Sequence, residues 1–287
     1  MTDFLALVTN PYVVGQYAHT VLSGITTAGI IVVAVGAYKL LRGENVETFR
    51  TGIKAGIVYG LVGLFLVMGS GHMQAQYIGK NVPMKMASME ALWETADPAP
   101  FTVVANIDTE NKVNHDAIEI PYLLSGMIYN APSGEVKGIN EMQAQLVQQY
   151  GYDDYIPNVV LLFWSFRIMI ACGVAMVGAL LLAGFLLYTK RLENCRWFLN
   201  ILVLILPLPF IANTFGWIIT EAGRQPWMVV GLQKVSDAVS QNITTTEVMI
   251  TLVGFTLIYA LLAIAALTIA VKSVRKDAHK LDEGGEA

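Results

Sequence analysis

Charge is what this chain of 287 residues has least of: Asp, Glu, Lys and Arg together make up 14% of it, against roughly a quarter in an average soluble domain. Cysteine is scarcer still. Cys172 and Cys195 are the only two, which excludes a disulfide framework and a cysteine-rich zinc site. There is no internal repeat, low-complexity tract or nucleic-acid signature. The opening MTDFLALVTNPYVV carries neither a basic n-region nor a small-residue cleavage site, so no removable signal peptide is expected.

What is there is apolar. Hydrophobic residues reach 55%, gathered into runs at Val13–Leu41, Gly52–Ser70, Asn158–Tyr188, Trp197–Thr220 and Val248–Val271. Each is long enough to supply the roughly 20 residues that a membrane-spanning helix needs. The expected fold is an all-α membrane protein, a bundle of five transmembrane helices with a long outward-facing loop.

The basic residues follow the same plan. Lys39, Arg42, Arg50 and Lys54 lie between runs one and two, Lys190, Arg191 and Arg196 between three and four, and Lys272, Arg275, Lys276 and Lys280 after run five. Five spans put all three groups on one side, which the positive-inside rule makes cytoplasmic. The N-terminus and the loop then face outward, and the C-terminus is cytoplasmic. Residues 1–70 read as an N-terminal segment and transmembrane hairpin, 71–157 as the outer loop, 158–271 as three further spans and 272–287 as a charged tail. The sequence LPLP in run four, with Pro207 and Pro209, predicts a kink, because proline removes a backbone donor.

Ionisable and metal-ligating groups inside spans are functional candidates. In VVGQYAHTVLSGITT, His19 shares a helical face with Gly15, Ser23 and Thr26. Two readings stand: a histidine bonded between close-packed helices, or one with room beside it for a flat macrocycle. In FWSFRIMIACG, Arg167 and Met169 are about 200° apart on a helix, so only one can point straight at any shared partner. Met169 is either core filling or a thioether ligand with small Gly173 one turn on. In WIITEAGRQPW, Trp217 and Glu221 share a face and Arg224 follows the helix end. Glu221 and Arg224 form either an interfacial ion pair or a carboxylate whose charge is compensated by a metal. Taken together, His19 and Met169 suit the two sides of one low-spin heme iron, and Glu221 suits a second, five-coordinate iron.

The stretches NPYVVGQYAHT, PMKMASMEALWETADPAPF, INEMQAQLVQQYG, DYIPNVVLLFWSFRIM, LPLPFIANTFGW and TEAGRQPW, in this order, resemble the C-terminal part of subunit I of the cytochrome bd quinol oxidases. The resemblance covers nearly the whole chain, and GRQPW and FWSFRIM are its most specific parts. It implies that His19 and Met169 are axial ligands of a low-spin heme b supported by Arg167, and that Glu221 is the axial ligand of a high-spin heme b. Trp217 would lie between the hemes, Arg224 would balance nearby negative charge such as heme propionates, and Lys85 and Glu90 would serve quinol oxidation in an outer loop of the family's short type. Electrons would pass from quinol to the low-spin heme, then by way of Trp217 to the high-spin heme and on to dioxygen at a heme d.

The family's N-terminal helices, with the histidine assigned to heme d and the acidic proton path, have no counterpart here. His72 is read at a helix end, His115 in the loop and His279 in the tail. With Met1 opening the chain, the expectation is a split subunit I. Its heme d would be shared with a separate chain that supplies the N-terminal half, and a subunit II-like chain is a further partner. The setting would be the inner membrane of a prokaryotic cell, among lipid. The alternatives are a heme-b electron-transfer or assembly subunit without oxygen chemistry, and a non-redox helical scaffold.

Overall fold

The computed structural model describes Leu5, residues 8–240 and residues 242–276. Five helical stretches in it are long and apolar enough to cross a membrane, as the sequence predicts. Of the charged tail, residues 277–287, with His279, lie outside the described residues.

Helix α1, Pro11–Arg42, starts where Pro11 needs no amide partner and the Asn10 side chain accepts from the Tyr12 amide at 2.9 Å. It ends at Gly43, whose φ of 71° lets the chain reverse in the left-handed region. Helix α2, Val46–Asn81, returns alongside it. Their seam is glycine on glycine: a Cβ at Gly29 would fall 2.5 Å from the Gly60 amide nitrogen, and one at Gly63 would fall 2.7 Å from Thr26 Oγ1. Only hydrogen side chains allow this approach, the means by which membrane helices pack without a hydrophobic drive between them.

α2 runs eleven residues past the expected end at Ser70, to Asn81. Nothing in GHMQAQYIGKN breaks a helix until Val82–Pro83, so loss of hydrophobicity there marks the end of the apolar run and not of the helix. His72, read from the sequence as terminal, therefore lies within α2. It bonds to Asn130 Oδ1 at 2.8 Å and to Gln76 at 3.0 Å.

The remainder of the loop folds. Short helix α3, Pro83–Glu90, precedes an antiparallel hairpin of β1, Phe101–Asp108, and β2, Val113–Ile120. The turn is closed by Asp108, which accepts from the Glu110 and Asn111 amides at 3.0 and 2.9 Å. Helices α4, Leu123–Tyr129, and α5, Ile139–Tyr150, follow. α3, α5 and the hairpin close a small core over the start of the next span, made of Met84, Ala87, Trp93, Ala105, Ile139, Met142, Val159 and Phe163.

Helix α6, Val159–Tyr188, is capped by Asn158, which accepts from Leu161 N at 3.0 Å. The fourth run is two helices, α7, Arg196–Leu204, and α8, Leu208–Ala222, broken at 205–207 beside Pro207. Beyond α8, the short strands β3, Trp227–Val229, and β4, Gln233–Lys234, pair. Trp227 stacks on Tyr155 at 5.6 Å between ring centroids and Lys234 meets Asp153 at 2.5 Å, tying this turn to the approach of α6. Helix α9, Thr245–Arg275, opens with a Thr244–Glu247 capping box, and none of its residues is buried.

The basic segments converge as five spans require. Arg50 pairs with Glu193, Arg196 donates to the Leu41 carbonyl at 3.4 Å, and Lys39 donates to Glu44 at 2.5 Å and to the Lys276 carbonyl at 2.7 Å. This basic end holds the main bundle core, from Ile30, Val33 and Ala37 to Leu180, Phe198 and Leu202. Packing is uneven along the bundle. α1 buries nine residues from Thr26 to Leu40 and none between Pro11 and Ile25.

Candidate functional site

Most of the residues singled out in the sequence lie at the loop end, where α1 is loosely packed. The tightest constellation is charged. α3 carries little hydrophobicity, PMKMASME, yet every residue from Met84 to Glu90 is buried. Lys85 is 4% exposed and Glu90 1%.

Arg167 leaves α6 toward this helix. Its guanidinium donates to Glu90 Oε2 at 2.6 Å, to the Met89 carbonyl at 2.5 Å, and through Nε to the Thr102 carbonyl at 3.0 Å, with a second bond from Nη2 to that carbonyl. The Phe163 ring lies 3.8 Å away, the Phe101 ring 4.8 Å and the Phe166 ring 5.5 Å. An arginine so enclosed by acceptors and π-faces is held in one orientation. Taking one partner from such a buried pair costs about 3–5 kcal/mol.

Glu90 is only half satisfied: Oε1 is buried without a hydrogen-bond partner. Burial raises its pKa to about 7 against the pull of Arg167. Burial also pushes the Lys85 ammonium down to about 8, opposed by the charge of Glu221. The lysine stem crosses the end of α8, where a Cβ on Gly223 would stand 2.8 Å from Lys85 Cε. Two groups able to exchange a proton near neutral pH thus lie on one short helix, and Lys85 lies within the electrostatic reach of Glu221 on α8.

Glu221 sits one residue before the end of α8, 39% exposed at its side chain. Arg224 meets it with two bonds, Nη2 at 2.5 Å and Nε at 3.2 Å, both to Oε2. Arg224 also donates to the Met228 carbonyl at 3.0 Å. Oε1 of Glu221 stays outside the pair. Trp217, one turn earlier, is exposed.

His19 turns to α2, where its Nδ1 is 3.0 Å from Ser70 Oγ. Met169 turns to α8, with its sulfur 3.3 Å from where a Cβ on Gly216 would be. Met169 packs in a cluster that includes Tyr12 of α1 and Ala75 and Ile78 of α2, so it belongs to the same half of the bundle as His19. Arg167 and Met169 point to different neighbours, as their helical offset requires. The structure brings Lys85, Glu90, Arg167, Glu221 and Arg224 into one charged region, whereas the polar contact of His19 is with α2.

The donor chemistry fits heme iron. An imidazole nitrogen, a thioether sulfur and a carboxylate oxygen each keep an electron pair that no contact described above uses. Sequence reasoning missed Ser70, Gly216, Gly223 and the carbonyls of Met89 and Thr102. Gly216 and Gly223 adjoin candidate residues in the sequence, whereas Ser70 stands 51 positions from His19; the carbonyls belong to the backbone and leave no mark in the sequence.

Comparison with known proteins gives the family of the chain. The family model described as cytochrome bd terminal oxidase subunit I matches residues 1–278. The chain is 40% identical over 279 residues to the cytochrome bd ubiquinol oxidase subunit 1 of Bacillus subtilis, covering 97% of this chain and 60% of that protein. It is 28% identical over 332 residues to the cytochrome bd-II ubiquinol oxidase subunit 1 of Escherichia coli, covering 96% and 64%. The solved structure of bd oxidase from Geobacillus thermodenitrificans superposes with a TM-score of 0.81 at 26% identity, over 95% of this chain and 60% of that one. The chain therefore spans less than two thirds of the length of these relatives.

Proposed function

The chain belongs to the cytochrome bd terminal oxidase subunit I family, and from that membership we propose that it is part of a bd-type quinol:dioxygen oxidoreductase that oxidises quinol at its loop end. The observation that carries this reading is Glu90: a buried carboxylate with one oxygen on Arg167, the other unpartnered, and a pKa raised to about 7. Quinol gives up two protons with its two electrons, so its site needs a base that is available at neutral pH.

In this reading Oε1 of Glu90 takes a hydroxyl proton from quinol while Arg167 holds the carboxylate in place through Oε2. The folded segment of α3, the hairpin and α5 shields the pair from water. Lys85 offers its ammonium to a head-group oxygen, and Gly223 leaves space for its stem.

His19 and Met169 would hold a low-spin heme b, Glu221 a high-spin heme b, with Arg167 and Arg224 as nearby cations and Trp217 between the two. Heme iron, when bound, supplies the one-electron acceptor that a two-electron donor such as quinol needs. Arg224, already on Oε2 of Glu221, limits that carboxylate to offering Oε1. Polypeptide beyond these residues would carry the rest of subunit I and share the heme d, and a subunit II-like chain would complete the assembly. With the basic end cytoplasmic, the loop end faces outward and protons from quinol leave on that side.

The complex purified from its membrane tests the proposal. We expect low-spin b, high-spin b and chlorin bands in the reduced-minus-oxidised spectrum and cyanide-sensitive oxygen uptake driven by a soluble quinol. Glu90→Gln keeps an acceptor for Arg167 and should keep heme content while slowing uptake by about 10²-fold or more, the usual contribution of a positioned base. Bound heme without quinol-driven uptake would leave only the electron-transfer or assembly role standing.

A further inference from the structure

The polar contact of His19 lies on α2, in the sequence GSGHM at residues 69–73. There the glycine seam of the hairpin reaches the loop end. A Cβ on Gly71 would stand 3.2 Å from His19 Cε1 and 3.7 Å from Nδ1, so the imidazole lies close against the α2 backbone at a position where a side chain would crowd it. The preceding residue, Ser70, places its hydroxyl oxygen 3.0 Å from His19 Nδ1 and 3.0 Å from the carbonyl oxygen of Val67, one turn back on α2.

These two distances decide the tautomer. A carbonyl only accepts, so the single hydroxyl proton of Ser70 is directed to Val67 O. The lone pairs of Oγ then face the ring, and the nitrogen opposite must carry a hydrogen. Nδ1 is thus the donor, and Nε2 holds the lone pair. Histidines that bind metals commonly have this arrangement, with the ring nitrogen not used for the metal donating to a neighbour that fixes both orientation and basicity.

We propose that Ser70 is a positioning residue for His19: its hydroxyl, oriented by the Val67 carbonyl, accepts the Nδ1 proton, fixes the imidazole tautomer and ring angle against Gly71, and leaves Nε2 as the nitrogen offered to heme iron. The inference rests on reading His19 as an axial ligand, and goes beyond it by assigning what makes that ligand competent. A hydrogen bond from Nδ1 strengthens Nε2 as a donor, and a stronger donor favours ferric over ferrous iron. The bond therefore holds the low-spin midpoint potential below the value it would have without it.

The test uses the purified complex with Ser70→Ala, Ser70→Thr and His19→Ala, read by heme content, the low-spin α-band and its potentiometric titration. Ser70→Ala should keep the low-spin heme, move its midpoint to a more positive potential and weaken heme affinity about 10- to 100-fold, the usual effect of removing such a partner. Ser70→Thr restores a hydroxyl at the same atom and should return both readings toward the native values. A midpoint and heme retention unchanged in Ser70→Ala, or a Thr variant that behaves like the Ala one, overturns the role of the hydroxyl. His19→Ala separates the two levels: loss of the low-spin signal supports the axial ligand, whereas its survival removes that reading and this proposal with it.

Discussion

At the scale of single residues, the pKa of Glu90 is set by two opposing effects, and burial is the larger. A carboxylate 1% exposed loses its hydration, and one guanidinium does not restore it, so the pKa rises to about 7. The sign for stability follows. With a folded pKa above the unfolded one, the proton-bound form stabilises the fold fully below the unfolded value, about 4.3, and that contribution is lost as pH rises through about 7. For activity the direction is opposite, because only the carboxylate can accept a proton. Quinol oxidation should climb about tenfold per pH unit below 7 and level off above it. Lys85 loses its charge above about 8, which should bring an alkaline decline. Measured as kcat/KM against pH, Glu90→Gln should lose the acid limb and keep the alkaline one. An acid limb that persists in that variant would mean another group is the base.

At the scale of elements, the α1–α2 hairpin illustrates how a small residue can matter more than a large one. A methyl at Gly29 meets backbone on both sides, Gly60 N at 2.5 Å and Gly56 O at 3.0 Å, and backbone cannot turn aside as a side chain can. Gly29→Ala should therefore lower the thermal stability of the purified complex, by the ~1–3 kcal/mol typical of overpacking. Gly52→Ala, where nothing lies within 4 Å, serves as the control and should be neutral or slightly stabilising. Equal melting temperatures for the two variants would show that the seam yields. The element least legible in the sequence is α3. Its low hydrophobicity suits a surface turn, but the span below and the hairpin above bury it on all sides, and that enclosure exists only in three dimensions. The break in the fourth run was legible, because Pro207 removes a donor wherever it stands. The true end of α2 was not, since hydrophobicity and helicity stop at different places.

At the scale of the whole molecule, orientation follows from charge. The basic end should remain on the cytoplasmic side, because lysine and arginine resist translocation. With Cys172 and Cys195 replaced, a single cysteine at Thr109 in the hairpin turn should react with a membrane-impermeant thiol reagent on spheroplasts. One at Glu47, at the start of α2, should react only after lysis. The reverse pattern would invert the assignment and place the proposed quinol site inside.

Read without its structure, the chain already determined its class, its five spans, their common basic end and the identities of His19, Met169, Arg167, Glu221, Lys85 and Glu90 as candidates, because hydropathy, charge and rare polar residues are local properties. Only the tertiary structure decided that Arg167 pairs with Glu90, that Lys85 lies across Gly223 toward Glu221, and that Ser70 Oγ meets His19 Nδ1. Those relations join residues far apart in the chain, through backbone carbonyls and the space that glycines leave. No pattern along the sequence records either.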